Sequence, residues 1–302
     1  MFKFIKKHFL RPFLRKFYLK KRKKFLPVFS FYIFVYKCNS LKMPKILKNL
    51  LFLTVFIPFY GNSQLGFSHE IGAFVGGVAF QSDFGVRHDF DTNKGNTGFA
   101  LGIVHYLNFA YRAECNCYTP DSYFNDHFKL RSELSFNSTK LEHFGEFAEK
   151  NSTYGEQLKA MKGEAKVTDI GMQLEYYPWS IRQFTGSTSG SWAPFVGLGA
   201  HFSFFQNNTY SELGPLGTLA TTYPDYLPDG YSSEGGNAFS VVSSVGTRYK
   251  LTPLSDLFVE LRWQYYFSDW VDGLRKNPDI YKENKSNDWN LWLNFGYIYY
   301  LD

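Results

Sequence analysis

Two acidic segments carry residue types that could bind a cation or activate a water molecule. Asp89 and Asp91 lie in the first segment beside His88, and Asp269 and Asp272 lie in the second. Carboxylate oxygens are the ligands that Ca²⁺ prefers, and a carboxylate near a histidine can act as a general base on water. The four aspartates are therefore candidate metal ligands. The alternative is an acidic, solvated surface that binds nothing specific.

A pair of cysteines separated by one residue is the second candidate for chemistry. Cys115 and Cys117 are followed closely by Tyr118, Asp121 and Tyr123. A metal site usually takes four ligands at a recognisable spacing, which two cysteines do not supply. In an oxidising compartment such a pair forms a local disulfide or pairs with another protein. We predict that these five residues contact a partner, and the metal, redox and disulfide alternatives stay open.

The sequence shows none of the common catalytic motifs. Its seven histidines are scattered, and we find no glycine-rich phosphate loop before a helix, no serine elbow and no zincin pair. The sequence therefore predicts neither an enzyme nor a cofactor-binding protein.

Charge is unevenly distributed along the 302 residues. Residues 1–63 contain 15 lysines and arginines and no aspartate or glutamate, which leaves 18 basic and 27 acidic side chains, a net charge of −9, in residues 64–302. An acidic body behind a basic leader is not typical of a protein that binds nucleic acid. Aromatic residues make up 20% of the chain, which argues against disorder.

The basic leader has the features of a targeting sequence. Residues 43–63 read as a secretory signal peptide, with lysines first, then an apolar run, then small residues before a cleavage site at Gln64. The apolar run is shorter than the ~20 residues that span a bilayer. Residues 1–42 are predicted to be a non-native upstream extension or an extended leader. Residues 64–302 form the predicted domain.

The domain consists of segments in which apolar and polar residues alternate. In the segment 257–266, every odd-numbered residue is apolar, and Glu260, Arg262 and Gln264 lie among the even-numbered ones. Successive side chains of a strand point to opposite faces, so this pattern predicts strands. We predict eight strands, over residues 69–81, 97–109, 128–139, 166–177, 193–205, 238–250, 257–267 and 289–300.

Charged residues on the polar faces distinguish a barrel from a β-sandwich. A sandwich core could not hold unpaired charges, because burying a charge without a partner is very costly. A narrow barrel can hold them as a paired network in its lumen. We expect a structural network formed by Glu70, Arg131, Glu133, Asp169, Glu175, Arg248, Glu260 and Arg262. The predicted fold is all-β: an eight-stranded antiparallel up-and-down transmembrane β-barrel, preceded by the leader and signal peptide.

The barrel pattern also predicts an orientation in the bacterial outer membrane, with both termini in the periplasm. The outer loops are then residues 82–96, 140–165, 206–237 and 268–288. The periplasmic turns are 110–127, 178–192 and 251–256, and the first two are longer than is usual for such barrels.

Short phrases within the strands resemble those of a known family. These are residues 69–77 (HEIGAFVGG), Asp272-Gly273 after the seventh strand, and residues 286–289 (SNDW) at the start of the eighth. They resemble PorG-like eight-stranded outer-membrane barrels of Bacteroidota, which are associated with type IX protein secretion, or a close uncharacterised flavobacterial relative. The resemblance implies the fold, an anchoring role toward periplasmic ring components and no catalytic residues. The segment 111–124 departs from it, where the family has a short turn.

We therefore expect a non-enzymatic outer-membrane protein that serves as a structural or docking subunit. Its expected partners are outer-membrane lipids and periplasmic ring or lipoprotein components of a secretion complex. A second hypothesis is an enzyme at the barrel rim, or a receptor for a cation or another ligand, that uses the acidic outer loops. A third is a small channel.

Overall fold

The computed structural model describes residues 67–86, 89–109, 122–275, 279 and 287–301. The predicted extension and signal peptide lie outside the described residues. So do His88 and, in the cysteine segment, Cys115, Cys117, Tyr118 and Asp121.

The described chain forms a closed barrel of eight strands, in which each strand pairs with its neighbours in sequence order and β1 closes on β8. The strands are β1 (Ser68–Gln81), β2 (Thr97–Asn108), β3 (Phe128–Glu142), β4 (Met161–Tyr176), β5 (Trp192–Ser211), β6 (Gly236–Thr252), β7 (Ser255–Tyr266) and β8 (Trp289–Tyr300). All eight pairings are antiparallel. The predicted all-β up-and-down barrel is confirmed.

Side-chain burial alternates along the strands as the sequence pattern requires. In β7, Phe258, Glu260 and Arg262 are buried, whereas Leu257 and Leu261 are exposed on the outside of the barrel. Polar residues therefore fill the lumen and apolar residues cover the outside, which is the reverse of a water-soluble protein.

The two ends of the barrel differ. We call the end at which β1 begins and β8 ends the terminal end, and the opposite end the long-loop end. At the terminal end β6 and β7 are joined by a turn of two residues, Pro253 and Leu254. At the long-loop end, residues 212–235 connect β5 to β6, and residues 267–288 connect β7 to β8.

Helices are few and short in the part of the chain that the structure describes. They are α1 (Phe90–Asn93), α2 (Tyr123–His127), α3 (Glu146–Glu149), α4 (Thr153–Ala160) and α5 (Ile181–Thr185). None of these described helices is long and apolar enough to cross a membrane.

Two strands extend further toward the long-loop end than the sequence predicts. β4 begins at Met161 rather than residue 166, and β5 ends at Ser211 rather than residue 205. In the β4 extension the polarity of the two faces is reversed, because Lys162 and Glu164 point outward while Met161 and Ala165 are buried inside. In the β5 extension the buried residues, Asn207 and Thr209, are polar as well. Neither extension has the apolar outer face that predicts a membrane-spanning strand.

The section of the barrel at these extensions encloses an apolar core of its own, which we call the cap core. Its larger members are Phe80, Phe84, Leu141, Met161, Val167, Phe205, Tyr226, Tyr266, Val271 and Leu274. Residues from six strands and from the long loops meet there. This end of the barrel is therefore packed like an ordinary water-soluble domain, and it covers the polar lumen below it.

A smaller apolar cluster lies at the terminal end. Ile181 and Phe184 of α5 are buried against Tyr177, Ala193 and Phe195. The α5 helix thus covers the lumen on the side opposite to the cap core.

Candidate functional site

The centre of the lumen holds a closed ring of four charged side chains. Arg262 forms a bidentate pair with Glu133, at 2.6 and 2.8 Å, and its Nε donates to Glu260 Oε1 at 2.6 Å. Arg131 Nη1 donates to the other oxygen of Glu260, and its Nη2 lies 2.7 Å from Glu133 Oε2. Each carboxylate is thus shared by two guanidinium groups, and each guanidinium by two carboxylates.

The ring connects opposite walls of the barrel. Arg131 and Glu133 belong to β3, whereas Glu260 and Arg262 belong to β7, four strands further around the closed sheet. All four side chains are fully buried. Planar guanidinium groups suit this arrangement because they can donate to two carboxylates in fixed directions.

A second layer of charges lies between the ring and the terminal end. Glu70 accepts from Lys129 Nζ and from Arg248 Nη1, each at 2.6 Å. Arg248 also lies 3.7 Å from Asp256, whose other oxygen is 3.3 Å from Lys250 Nζ. This layer joins β1, β3, β6 and β7.

One carboxylate links the two layers. Glu175 lies 3.4 Å from Arg131 Nη1 in the ring and 3.5 Å from Arg248 Nη2 in the second layer. It also accepts a hydrogen bond of 2.5 Å from the Tyr177 hydroxyl. The whole network is therefore continuous along the barrel axis.

Aromatic rings pack against the cations of both layers. The Arg248 guanidinium lies 4.1 Å from the centroid of Tyr106, and Lys250 Nζ lies 3.9 Å from that of Tyr300. The Arg262 guanidinium lies 5.1 Å from the Trp292 ring. Cation–π attraction is strongest where water is excluded, so these rings add to the ion pairs and also fill space in the lumen.

Asp169 lies apart from the ion pairs, toward the long-loop end. Its Oδ1 accepts from Ser203 Oγ and, at 2.9 Å, from Gln264 Nε2. Gln264 also donates to Ser240 Oγ at 2.9 Å. The nearby His201 is buried on an inward face, and neither of its ring nitrogens bonds to a described residue.

All eight residues of the predicted lumen network therefore lie buried inside the barrel, and seven of them form ion pairs with one another. Lys129 and Lys250, which the alternation also places on the polar faces of the predicted strands, are buried and paired as well. The prediction omitted Asp256, which is buried and pairs with Lys250. Asp256 was assigned to a turn. Asp256 continues the even-numbered, inward-facing positions of Glu260 and Arg262, and this alternation indicates that it belongs to β7.

The predicted rim residues do not form one group. Asp89 and Asp91 are exposed, and Asp91 pairs with Lys94 at 3.0 Å. Asp272, in contrast, is fully buried and accepts hydrogen bonds from the backbone N–H groups of Asp83 and Leu274, each at 2.8 Å. Among the described residues, no three His, Cys, Asp or Glu side chains are arranged to hold a metal ion.

The buried aspartates of the last loop act as acceptors for its backbone. Asp288 Oδ2 accepts from the N–H groups of Val271 and Asp272, at 2.9 and 3.2 Å. Burial, together with the nearby carboxylates of Asp83 and Asp269, raises the pKa of Asp272 well above its ordinary value. Burial and the carboxylates of Asp272 and Asp83 raise the pKa of Asp288 in the same way. Of the predicted metal candidates, Asp272 thus accepts hydrogen bonds from the loop backbone.

The two long connections at the terminal end are bonded to each other. Asp126 of α2 accepts a 3.0 Å hydrogen bond from the backbone N–H of Arg182 in α5. His127 Nδ1 lies 2.6 Å from the carbonyl oxygen of Tyr177. Tyr123, the described member of the predicted partner-binding set, is exposed and bonds to the Tyr176 hydroxyl at 2.7 Å.

The outside of the barrel carries an apolar belt between two groups of aromatic rings. Exposed belt residues include Val75, Ile103, Ile170, Leu198, Val245 and Leu293. Near the terminal end, Trp192 and Tyr249 pack with centroids 4.8 Å apart. Near the long-loop end, Trp263 packs on Tyr265 at 5.8 Å. An apolar belt between aromatic girdles is the surface that a bilayer requires.

Comparisons with known proteins give fold similarity alone. No protein-family model matches the chain, and no curated protein matches it. Among solved structures, neisserial surface protein A aligns at 17% identity and a TM-score of 0.37, covering 76% of this chain and 96% of its own. A major outer membrane protein of Thermus thermophilus aligns at 12% identity and a TM-score of 0.40, and the alignment covers 77% of this chain and 99% of that protein. OprG of Pseudomonas aeruginosa aligns at 15% identity and a TM-score of 0.35, and the alignment covers 78% of this chain and 96% of OprG.

Proposed function

We propose that this protein is a non-enzymatic barrel of the bacterial outer membrane, with both termini in the periplasm. The apolar belt, the girdles and the charged lumen support a membrane location. Bacterial outer-membrane barrels have short periplasmic turns and longer outer loops, which supports placing the long-loop end outside the cell.

The lumen is too well filled for a transport role to be the leading proposal. The ring of Arg131, Glu133, Glu260 and Arg262 crosses the middle of the barrel, the cap core covers one end and α5 covers the other. An eight-stranded barrel has room only for side chains. The interior therefore holds the wall rigid, and the specific function belongs to the loops at its two ends.

Within that role we propose that the terminal end docks a periplasmic protein, as a subunit of the type IX secretion machinery. The carrying observation is the pair of long terminal-end connections, 109–127 and 177–191, which the Asp126–Arg182 hydrogen bond joins. The described parts of the two connections, α2 and α5, are held together by this bond, and a surface held in place binds with less loss of entropy than a flexible one. The resemblance of the strand phrases to PorG-like barrels supports the choice of partner.

The test is a native purification of the tagged chain from outer membranes of its own host, with co-purifying proteins identified and quantified by mass spectrometry. We expect periplasmic ring or lipoprotein components at near-equal amounts. The Asp126→Ala variant should lose most of them, because it removes the side-chain hydrogen bond that holds α5 against α2. Leu254→Ala, an exposed change in the tight turn at the same end, is the matched control and should retain them.

A barrel that purifies without periplasmic proteins would contradict the docking role. Equal capture by the wild type and by Asp126→Ala would show that the joined connections are not the dock. The described rim gives the cation receptor no support, because Asp272 is bonded to backbone N–H groups and no three described His, Cys, Asp or Glu side chains are arranged to hold a metal ion.

A further inference from the structure

A cleft opens at the long-loop end, outside the lumen and away from the proposed dock. It has a volume of about 650 Å³ and lies between the end of β5, the connection 212–235 and the start of the last loop. Cavities that bind small molecules measure about 300–1,000 Å³. Its lining includes Tyr210, Ser211, Tyr231, Ser232, Glu234 and Trp270.

Hydrogen bonds between the three segments hold the cleft in shape. The Ser232 N–H donates to the carbonyl oxygen of Gly273 at 2.8 Å, and Asn207 Nδ2 donates to that of Trp270 at 2.6 Å. Ser233 Oγ accepts from the Thr209 N–H at 3.2 Å and donates to the Thr209 carbonyl oxygen at 3.1 Å. The walls are therefore ordered before any ligand arrives, which lowers the entropy cost of binding.

Aromatic side chains supply the apolar part of the cleft. Tyr231 and Trp270 are partly buried and pack against the cap core, so their rings are fixed. Tyr210 points outward from β5 and is 47% exposed. Gly217, which has a positive φ of 105°, lets the Tyr231 hydroxyl approach closely, because a Cβ at this position would lie 2.7 Å from that oxygen.

Hydroxyl groups and one carboxylate supply the polar part. Ser211 and Ser232 carry hydroxyls, and Glu234 is the only charged residue among the described residues that line the cleft. Each hydroxyl can donate as well as accept, whereas the Glu234 carboxylate only accepts. The lining therefore suits a ligand with several hydroxyl groups, and it disfavours an anion because no lining cation would neutralise it.

We propose that this cleft binds a neutral saccharide at the cell surface. A sugar ring presents C–H bonds on its faces, which pack against aromatic rings, and hydroxyls around its edge, which bond to serines and to a carboxylate. The lining of this cleft offers both. The proposal does not depend on the docking role, because the cleft lies at the other end of the barrel.

The test uses the full chain in a zwitterionic detergent, since glycoside detergents would occupy the site. The probes are arrays of neutral oligosaccharides built from hexoses and N-acetylhexosamines, with sialylated and sulfated oligosaccharides beside them. We expect binding to a subset of the neutral probes. Tyr210→Ala and Glu234→Gln should each weaken that binding about tenfold or more. Tyr210→Phe should retain most of it, because the ring stays.

Phe147→Ala is the matched control, since Phe147 is an exposed aromatic residue in α3 that does not line the cleft. It should bind as the wild type does. Each variant is checked for folding by its heat-modifiable migration in gel electrophoresis. No binding to any neutral probe, binding to anionic probes alone, or an equal loss in Phe147→Ala would each overturn the proposal.

Discussion

Each charged side chain of the ring pairs with two others, so the removal of any one leaves two buried charges with one partner fewer. Glu133 and Glu260 each have both oxygens in contact with a guanidinium group of the ring. Removal of one partner from a buried ion pair leaves an uncompensated charge, which costs more than the pair itself contributes. The lumen network is therefore a constraint on which substitutions the barrel tolerates.

We predict that Arg262→Met destabilises the barrel by about 3–5 kcal/mol, because it leaves two buried carboxylates with one shared guanidinium. Urea unfolding of the protein in lipid vesicles measures this. Lys94→Met, which removes an exposed ion pair with Asp91, is the control and should unfold at nearly the wild-type urea concentration. If Arg262→Met unfolds at the same urea concentration as Lys94→Met, the ring contributes little to the stability of the barrel.

Two buried aspartates predict that the last loop responds to pH. Their pKa values are raised in the folded protein, so the folded loop binds more protons than the open one. Stability of the loop should therefore be greatest near the ordinary aspartate pKa of about 4 and fall as the pH rises toward the raised values of Asp272 and Asp288.

Hydrogen exchange of the Leu274 and Val271 amides, corrected for intrinsic rates, measures this pH response. Protection should decrease as the pH rises above about 4, and Asp288→Asn should reduce the dependence. Amides within β7 serve as the internal control. Protection of the loop amides that rises with pH would have the wrong sign for the proposed cause.

At the level of the strands, the outer faces of β4 and β5 change from apolar to polar residues, and this change marks where the bilayer ends. The outward residues of β5 change from Val196 and Leu198 to Gln206 and Asn208 within one strand. The strand continues because its backbone is still paired, with β4 as far as Ser211. Only the surroundings of its outer face change, from lipid to water.

This boundary predicts a depth-dependent effect of one substitution at two positions of β5. Leu198→Arg should destabilise the barrel by about 2–4 kcal/mol, because it places a charge on the lipid face. Gln206→Arg, eight residues along the same face, should cost about 0–1 kcal/mol. Unfolding in lipid vesicles compares the two. Similar costs at both positions would mean that the belt does not end near Phe204.

At the level of the whole molecule, the barrel is closed at three depths and has loops of different character at its two ends. The ring, the cap core and α5 each cross or cover the lumen. We predict that the protein reconstituted in planar bilayers conducts no ions above the background of the lipid. Discrete conductance steps that depend on the protein would restore the small-channel hypothesis.

The predicted orientation is testable in whole cells. An epitope inserted after Leu219, which is 75% exposed at the long-loop end, should bind antibody on intact cells. An epitope added after residue 302 should bind only after the outer membrane is permeabilised. The reverse result would place the cleft in the periplasm and the joined connections outside.

The sequence alone determined the fold class, the number of strands and the faces of the residues within the alternating segments. It did so because a strand has a period of two, so alternation in β7 identifies Glu260 and Arg262 as inward-facing without any further information. The same pattern placed Glu70, Arg131 and Glu133 inside.

Only the tertiary structure decided which of these residues meet. Period two gives the face of a residue but not its partner across the lumen, which depends on how the strands tilt and stagger when the sheet closes. Closure brings β3 opposite β7 and so forms the ring, and it brings the backbone of Asp83 to Asp272. The cleft is formed largely by loops, whose residues follow no periodic pattern. The sequence therefore could not predict how these loops pack on the cap core.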